Sequence, residues 1–172
     1  MKPGIKAANP PIEIIRRPIG LVRLCVRRGA HILVEQEDSN LFVNAGLPAL
    51  ASLLGGDTAG NVAVAIGFGT GSNAPTVADT GLTAPAYYKT LDSHSENGTS
   101  PGAGSVQFAW SLTSADTGAE GLTIQEMGLY ANPFSVVLPG PTSPATILAR
   151  KTIAPITFSA GMTLSGTWTL TF

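Results

Sequence analysis

The stretch Met162-Thr-Leu-Ser-Gly-Thr-Trp-Thr-Leu-Thr-Phe172 sets apolar or small residues against Thr and Ser at every step. On a pleated strand this period of two gathers Met162, Leu164, Trp168, Leu170 and Phe172 on one face and Thr163, Ser165, Thr167, Thr169 and Thr171 on the other. The pattern predicts a half-buried antiparallel strand. Little helix signal and few side chains of catalytic type accompany it, so the chain reads as a building block.

With 172 residues the chain makes one domain, or one domain and an arm, and encloses a core without covalent staples. Charged residues are only 12% while Gly and Pro number 20 and 13, a composition that is apolar and turn-rich but not that of a disordered chain. The single Cys25 excludes an internal disulfide and a multi-cysteine zinc site, and is expected to pack as a small hydrophobe. No run approaches the roughly 18 apolar residues of a spanning helix. Arg23, Arg27 and Arg28 interrupt Ile19 to Val34, so no secretory leader is predicted there.

Charge is segregated. Seven of the ten Lys and Arg residues precede residue 35 (Lys2, Lys6, Arg16, Arg17, Arg23, Arg27, Arg28) against the single acid Glu13. The remainder sets ten acids against Lys89, Arg150 and Lys151. A cationic arm before an anionic body points to attachment on an acidic partner surface, through long-range attraction and Arg forks. The plainer alternative is the solvated face of a hairpin. Nucleic acid is not expected, because no aromatic is interleaved with these arginines and no helix carries them.

Four parts follow along the chain. Residues 1–18 hold Pro3, Pro10, Pro11 and Pro18, which excludes a helix or a central strand and predicts an extended arm. Residues 19–43 predict a meander of two or three strands, Leu21–Arg27, Ala30–Glu35 and, where there is a third, Asn40–Val43, broken at Arg28-Gly29 and at an acidic turn Glu37-Asp38-Ser39-Asn40. Asn44 to Gly56 predicts the one helix, near 46–55, with Pro48 in its first turn, Gly55-Gly56 at its end and a buried face of Leu47, Leu50, Leu53 and Leu54. From Asn61 onward strands are expected at Val62–Phe68, Tyr87–Leu91, Val106–Leu112, Leu122–Tyr130, Ile147–Ile153 and the terminal stretch. The Gly- and Pro-rich loops Thr70–Pro85, Glu96–Gly104 and Asn132–Pro144 lie between them. The reading is mainly β: an antiparallel β-sandwich over 19–172, one short amphipathic helix and an extended N-terminal arm over 1–18.

The chemistry-bearing patterns each have a plainer reading. Ile66-Gly-Phe-Gly-Thr-Gly71 resembles a phosphate cradle but lacks the Gly-Lys-Ser/Thr ending and a following helix, so its glycines are expected to admit a neighbouring backbone. Asp92-Ser93-His94-Ser95 gathers hydrolase residue types in one loop, without a nucleophile elbow. Asn97-Gly98-Thr99 matches a glycosylation acceptor, but without a secretory signal the plainer reading is a tight turn of the kind Asn-Gly favours. Cys25 and His31 lack any arrangement, other than nearby arginines, that would activate a thiol. Two histidines, one cysteine and scattered carboxylates predict no metal. Glu126 shares strand parity with Leu122 and Ile124, which aims a carboxylate inward unless Gly128 marks a bulge; Arg150 is its expected partner in a structural pair. An outer-membrane barrel would need strands of alternating residues all round, and the long loops and Leu-rich helix fit one poorly.

In order along the chain come Asn44-Ala-Gly-Leu47 with Leu50-Ala-Ser-Leu-Leu-Gly-Gly56, then Ile66 to Gly71 with Ala74-Pro75 and Asp79-Thr-Gly-Leu82. After them come Ile124 to Tyr130, Leu148 to Ile153 with Pro155-Ile156, and the Trp168 to Phe172 ending. From about residue 40 onward the chain thus resembles small structural proteins of tailed bacteriophages, among tail, baseplate and tail-fibre-attachment components. The resemblance implies a virion subunit made in the host cytoplasm, assembled with other phage structural proteins and with copies of itself. It implies no enzyme, cofactor, active site, small-molecule substrate or membrane partner. The expected role is a tail or baseplate subunit joining the tail to a fibre or a neighbouring ring, with Arg16, Arg17, Arg23, Arg27, Arg28 and the long loops as contact surfaces. A capsid decoration or head-fibre protein is the alternative, and a receptor- or carbohydrate-binding module a more distant one. The arm lies outside the resemblance.

Overall fold

A computed structural model describes residues 17–98, 104–131 and 146–172. Nearly all of the expected arm, Thr99 of the acceptor pattern and the loop at Asn132–Pro144 lie outside the described residues. The strands are β1 (Ile19–Arg28), β2 (His31–Phe42), β3 (Ala63–Gly69), β4 (Pro85–Thr90), β5 (Ser93–Asn97), β6 (Ser105–Leu112), β7 (Thr123–Ala131), β8 (Thr146–Thr157) and β9 (Met162–Thr171), with helix α1 (Leu47–Leu54) between β2 and β3. All strand pairings are antiparallel, in the order β4-β3-β7-β8-β2-β1-β9-β6-β5.

The sheet curls because β2 changes partner. Through Asn40 it pairs with β1, and only its last two residues, Leu41 and Phe42, pair with Arg150 and Ala149 of β8. A strand shared by two ladders turns a corner and folds the halves face to face, so the expected antiparallel sandwich is made from one continuous sheet.

The period-two pattern then fills the space between. Val22, Leu24 and Val26 of β1, Leu164, Trp168 and Leu170 of β9, and Trp110 and Leu112 of β6 meet Ile66, Phe68, Met127 and Leu129 in one buried cluster. The Trp110 and Phe68 rings pack edge to face across the halves, with centroids 5.5 Å apart. Gly166 breaks the alternation of β9 for a steric reason: a Cβ there would collide with the Arg23 carbonyl and the Trp110 ring. Trp168 donates its indole N–H to the Asn40 side-chain oxygen over 2.8 Å. Phe172, assigned to the same face from sequence, remains 59% exposed.

Three sequence expectations are corrected. The acidic turn at 37–40 is the interior of one strand, so of the two or three strands expected there are two, and β1 and β2 form a hairpin. Its acids are tolerated because each has a cation nearby: Glu37 pairs with Arg23, and Asp38 stands 3.5 Å from Lys151. Ser93–Asn97, read as loop, is an edge strand that is exposed along its length, and such a strand carries no hydrophobic period to detect. The helix does not bury its leucine face as a whole. Ala49 is its buried residue, Leu50 and Leu53 are half-buried, and Leu54 is 83% exposed. Two helical turns lie across the end of the sandwich, where the leucines overlook an open groove.

Candidate functional site

The half-sheet β4-β3-β7-β8 is covered on both faces. One face meets the other half-sheet, and the opposite face lies under the segment 70–84, where Val43, Ala65, Leu82, Tyr88, Tyr130 and Ile147 form a second buried cluster. The register of β7 against β8 slips between Ile124 and Glu126. That slip, and not a bulge at Gly128, moves Glu126 off the face of Ile124 and beneath the segment 70–84.

Glu126 is fully buried and saturated with donors. Oε1 accepts from the amides of Gly71 (3.2 Å) and Ala84 (2.7 Å). Oε2 accepts from the Thr83 amide (3.0 Å) and from Nε (3.1 Å) and Nη2 (2.7 Å) of Arg150. The expected Glu126–Arg150 pair therefore exists. Arg150, 2% exposed, also donates to Asp79 Oδ2 (2.6 Å), to Thr83 Oγ1 (2.6 Å) and to the Asn73 carbonyl (3.0 Å). Burial raises the pKa of Asp79, but donors on Thr76 and the Arg150 guanidinium outweigh it and hold the carboxyl below its ordinary value. Burial likewise disfavours the charged guanidinium, yet Asp79 and Glu126 keep it above its usual range.

The glycines of Ile66–Gly71 belong to the same construction. A Cβ on Gly69 or Gly71 would come within 2.5 or 2.6 Å of Glu126 Oε1, and one on Gly67 would strike the Tyr88 and Tyr130 rings at 2.8 and 2.9 Å. The close neighbours are mainly side chains, with the Ala84 carbonyl at 2.7 Å from a Gly69 Cβ as the backbone contribution. Space that a phosphate would need is taken by a carboxylate.

A second polar cluster, missed from sequence, centres on Asp116. Its oxygens accept from Tyr87 Oη (2.9 Å), Lys89 Nζ (3.0 Å) and the Thr113 amide (2.8 Å). Burial pushes the Asp116 carboxyl up, and these donors more than reverse it. Burial and the Asp116 charge raise the Tyr87 phenol to about 12. The spacing Thr113-x-x-Asp116 is a turn signature and was the available clue. Both clusters are pins: their carboxylates accept from donors of the protein itself and tie separate segments together.

The remaining sequence candidates are dispersed. Arg16 lies outside the described residues. Arg17 donates to the Phe42 carbonyl (3.4 Å) and to the Asn44 side chain, Arg23 to Glu37 and Arg28 to Ser159 Oγ (3.1 Å), while Arg27 is exposed. Cys25 stands opposite Glu35 and His31 opposite Arg28, so thiol and imidazole are not brought together. His94 alternates with Ser93 and Ser95 on β5 and points to the other face, and Asp92 accepts from Ser111 (2.7 Å), so the hydrolase residue types do not converge. Among the described residues no three His, Cys, Asp or Glu side chains are grouped to hold a cation, and no helix is long and apolar enough to cross a membrane.

Two surface features had no clear sequence signal. Ile32, Leu33 and Val34 of β2 are 51%, 50% and 37% exposed, and among the described residues the outer edge of β2 from His31 to Asn40 has no strand beside it. At the helix end of the sandwich an apolar groove of about 490 Å³ runs between Leu50 and Leu53 on one side and Phe108, Leu170 and Phe172 on the other. Fold and clusters together define a mainly antiparallel β domain that spends its buried ions on holding a long loop against the sheet. Compared with protein-family models, curated proteins and solved structures, the chain matches none.

Proposed function

We propose that the chain is a non-catalytic structural subunit of a tailed-bacteriophage virion, placed in the tail or baseplate, where it joins a fibre or a neighbouring ring. The observation that carries this reading is the edge of β2. Isolated sheet edges are normally short, charged or blocked by proline. Here β4 begins at Pro85, β5 is five polar residues and β8 carries Pro155, whereas β2 offers three consecutive apolar residues along a backbone that no strand among the described residues pairs on its outer side. Such an edge accepts a strand from a neighbour, with backbone hydrogen bonds for affinity and side chains for register.

The outward arginines of β1 serve the same contact. Arg23 and Arg27 alternate on the exposed face and Arg28 stands at the hairpin tip, next to the edge, where they complement an acidic neighbour; Arg16 and Arg17 extend the cationic surface into the arm. A carbohydrate-binding reading needs aromatic faces in solvent, and Tyr87, Tyr88, Trp110 and Tyr130 are all buried. Reconstruction of purified particles tests the proposal. Density for this sandwich in the tail or baseplate, with a neighbouring strand along β2, is expected; density on the head shell would favour the capsid-decoration alternative, and absence from the particle would refute a virion role.

A further inference from the structure

We propose that the groove at the helix end of the sandwich is the seat of the chain's own N-terminal arm, filled by the isoleucines of Ile12-Glu13-Ile14-Ile15. Three observations converge. The groove is built from apolar side chains, Leu50 and Leu53 of α1 facing Phe108, Leu170 and Phe172, and its rim stays wet at Phe172 and at Val62, 59% and 41% exposed. Contiguous exposed apolar surface of this kind marks a place where something binds. The arm, moreover, enters at the groove. Arg17 is tied to the carbonyl of Phe42, a groove-lining residue, and to Asn44 just before α1, while Ile19 pairs with Thr171 beside Phe172. Residue 17, from which the arm departs, therefore stands beside the groove.

The third observation is reach and composition. Residues 12–15 are two to five positions before the Arg17 anchor, so an extended chain carries them roughly 7–17 Å from it, the scale of the groove. They are the densest apolar run of the first 16 residues, between Pro10-Pro11 and Arg16. Alternation in an extended segment would send Ile12 and Ile14 to one face and Ile15 and Glu13 to the other. A tether this short gives the arm of the same chain a high effective concentration that a second copy matches only at high protein concentration. Docking in this way leaves residues 1–11, with Lys2 and Lys6, beyond the seat.

Disulfide trapping in the full-length chain tests this. In a Cys25→Ser background, Ile12→Cys, Ile14→Cys and Ile15→Cys are each combined with Leu53→Cys and oxidised at low micromolar concentration. At least one pair is expected to close within one chain, run as a monomer on a non-reducing gel, and form at least tenfold faster than the same arm cysteine paired with Ile32→Cys on the distant β2 edge. Circular dichroism of each reduced variant establishes that it is folded. Disulfide-linked dimers in place of monomers would overturn the proposal in favour of arm exchange between copies, and equal rates for groove and edge partners would overturn docking altogether. As a second measure, deletion of residues 1–16 is expected to raise the binding of an apolar fluorescent dye severalfold without loss of sheet signal; unchanged dye binding counts against the arm as occupant. All of these use the isolated chain, so they stand or fall separately from the virion role.

Discussion

The two halves of the sheet use the same strand physics to opposite ends. In β3, β7 and β8 nearly every residue is covered from both sides, and the charges within are saturated: five donors converge on Glu126 and four acceptors surround Arg150. In the β1–β2 hairpin the inward side chains of β1 and Phe42 at the end of β2 are buried, the rest of β2 is largely exposed on both faces, and the charges stand in water. A buried ion without its partners costs several kcal/mol, so the covered half tolerates little change, whereas exposed pairs such as Arg23–Glu37 contribute about 0–1 kcal/mol and leave the hairpin free to vary. The covered half specifies the fold; the hairpin is available for contact.

The hardest way to break the comparison is to remove Glu126. Glu126→Ala leaves three backbone amides without an acceptor at a buried site and takes from Arg150 one of its two counter-charges, the other being Asp79; loss of one partner from a buried pair costs about 3–5 kcal/mol. For a chain of this size that corresponds to a fall of roughly 6–20 °C in Tm. Replacing both partners, Glu126→Ala with Arg150→Met, removes the under-paired cation but leaves the amides of Gly71, Thr83 and Ala84 without an acceptor and Asp79 without its guanidinium. The double variant is expected to be less damaged than the sum of the singles and still below wild type. Calorimetry of the four proteins measures this coupling; simple additivity would mean that the pair does not act as a unit.

Acid titration sharpens the same contrast. Asp79 and Asp116 are both depressed in the folded state, so their contribution is complete above the ordinary carboxylate value of 3.8 and is lost as pH falls through the lower folded values. Stability from these groups is thus flat from neutrality to about pH 4 and declines below it. Asp116→Asn is expected to be less stable at pH 7 and to lose less of its remaining stability on acidification, as read by urea midpoints across pH. A midpoint that falls as steeply in the variant as in wild type would remove Asp116 from the acid response.

The hairpin should behave in the reverse manner. Leu33→Lys places a charge on the outer edge of β2, where exposed substitutions usually change stability by no more than about 0.5 kcal/mol. Its melting temperature is expected to match wild type while strand pairing with a neighbour is lost, measured as incorporation into particles. A clear drop in Tm would show that Leu33 supports the domain itself; unchanged incorporation would remove the edge from assembly.

How far these contrasts were legible in the sequence follows from what each residue is paired with. The alternation of Met162–Leu170 and the inward carboxylate of Glu126 with Arg150 could be read, because a strict period and a costly buried charge leave few solutions. The β2 strand was obscured at Glu37 and Asp38, whose partners Arg23 and Lys151 lie on other strands and cannot be known from local composition. Asp116 was missed for the same reason: its donors on Tyr87 and Lys89 are 29 and 27 residues away. The glycines of Ile66–Gly71 announced a close approach without saying that a carboxylate and two phenol rings make it.

A modest effect is expected at the helix, which joins the two halves and belongs fully to neither. Leu-to-Ala at a fully buried site costs about 2–5 kcal/mol, from lost transfer energy and the cavity left behind. Leu50 is half-buried, and with residues 1–16 deleted its truncated side chain would open into the groove, where no closed cavity forms, so Leu50→Ala should cost only about 1 kcal/mol in that background. Leu54, 83% exposed, should tolerate Ala with almost no change. Deletion of residues 1–16 separates the reasons for this difference. With the arm seated over the groove, Leu50→Ala costs more in the full chain than in the truncated one, since Leu50 then loses packing partners as well as partial burial. Equal costs in the two backgrounds, read as shifts in the urea midpoint, would leave Leu50 facing solvent in both and make the helix part of the exposed half of the molecule.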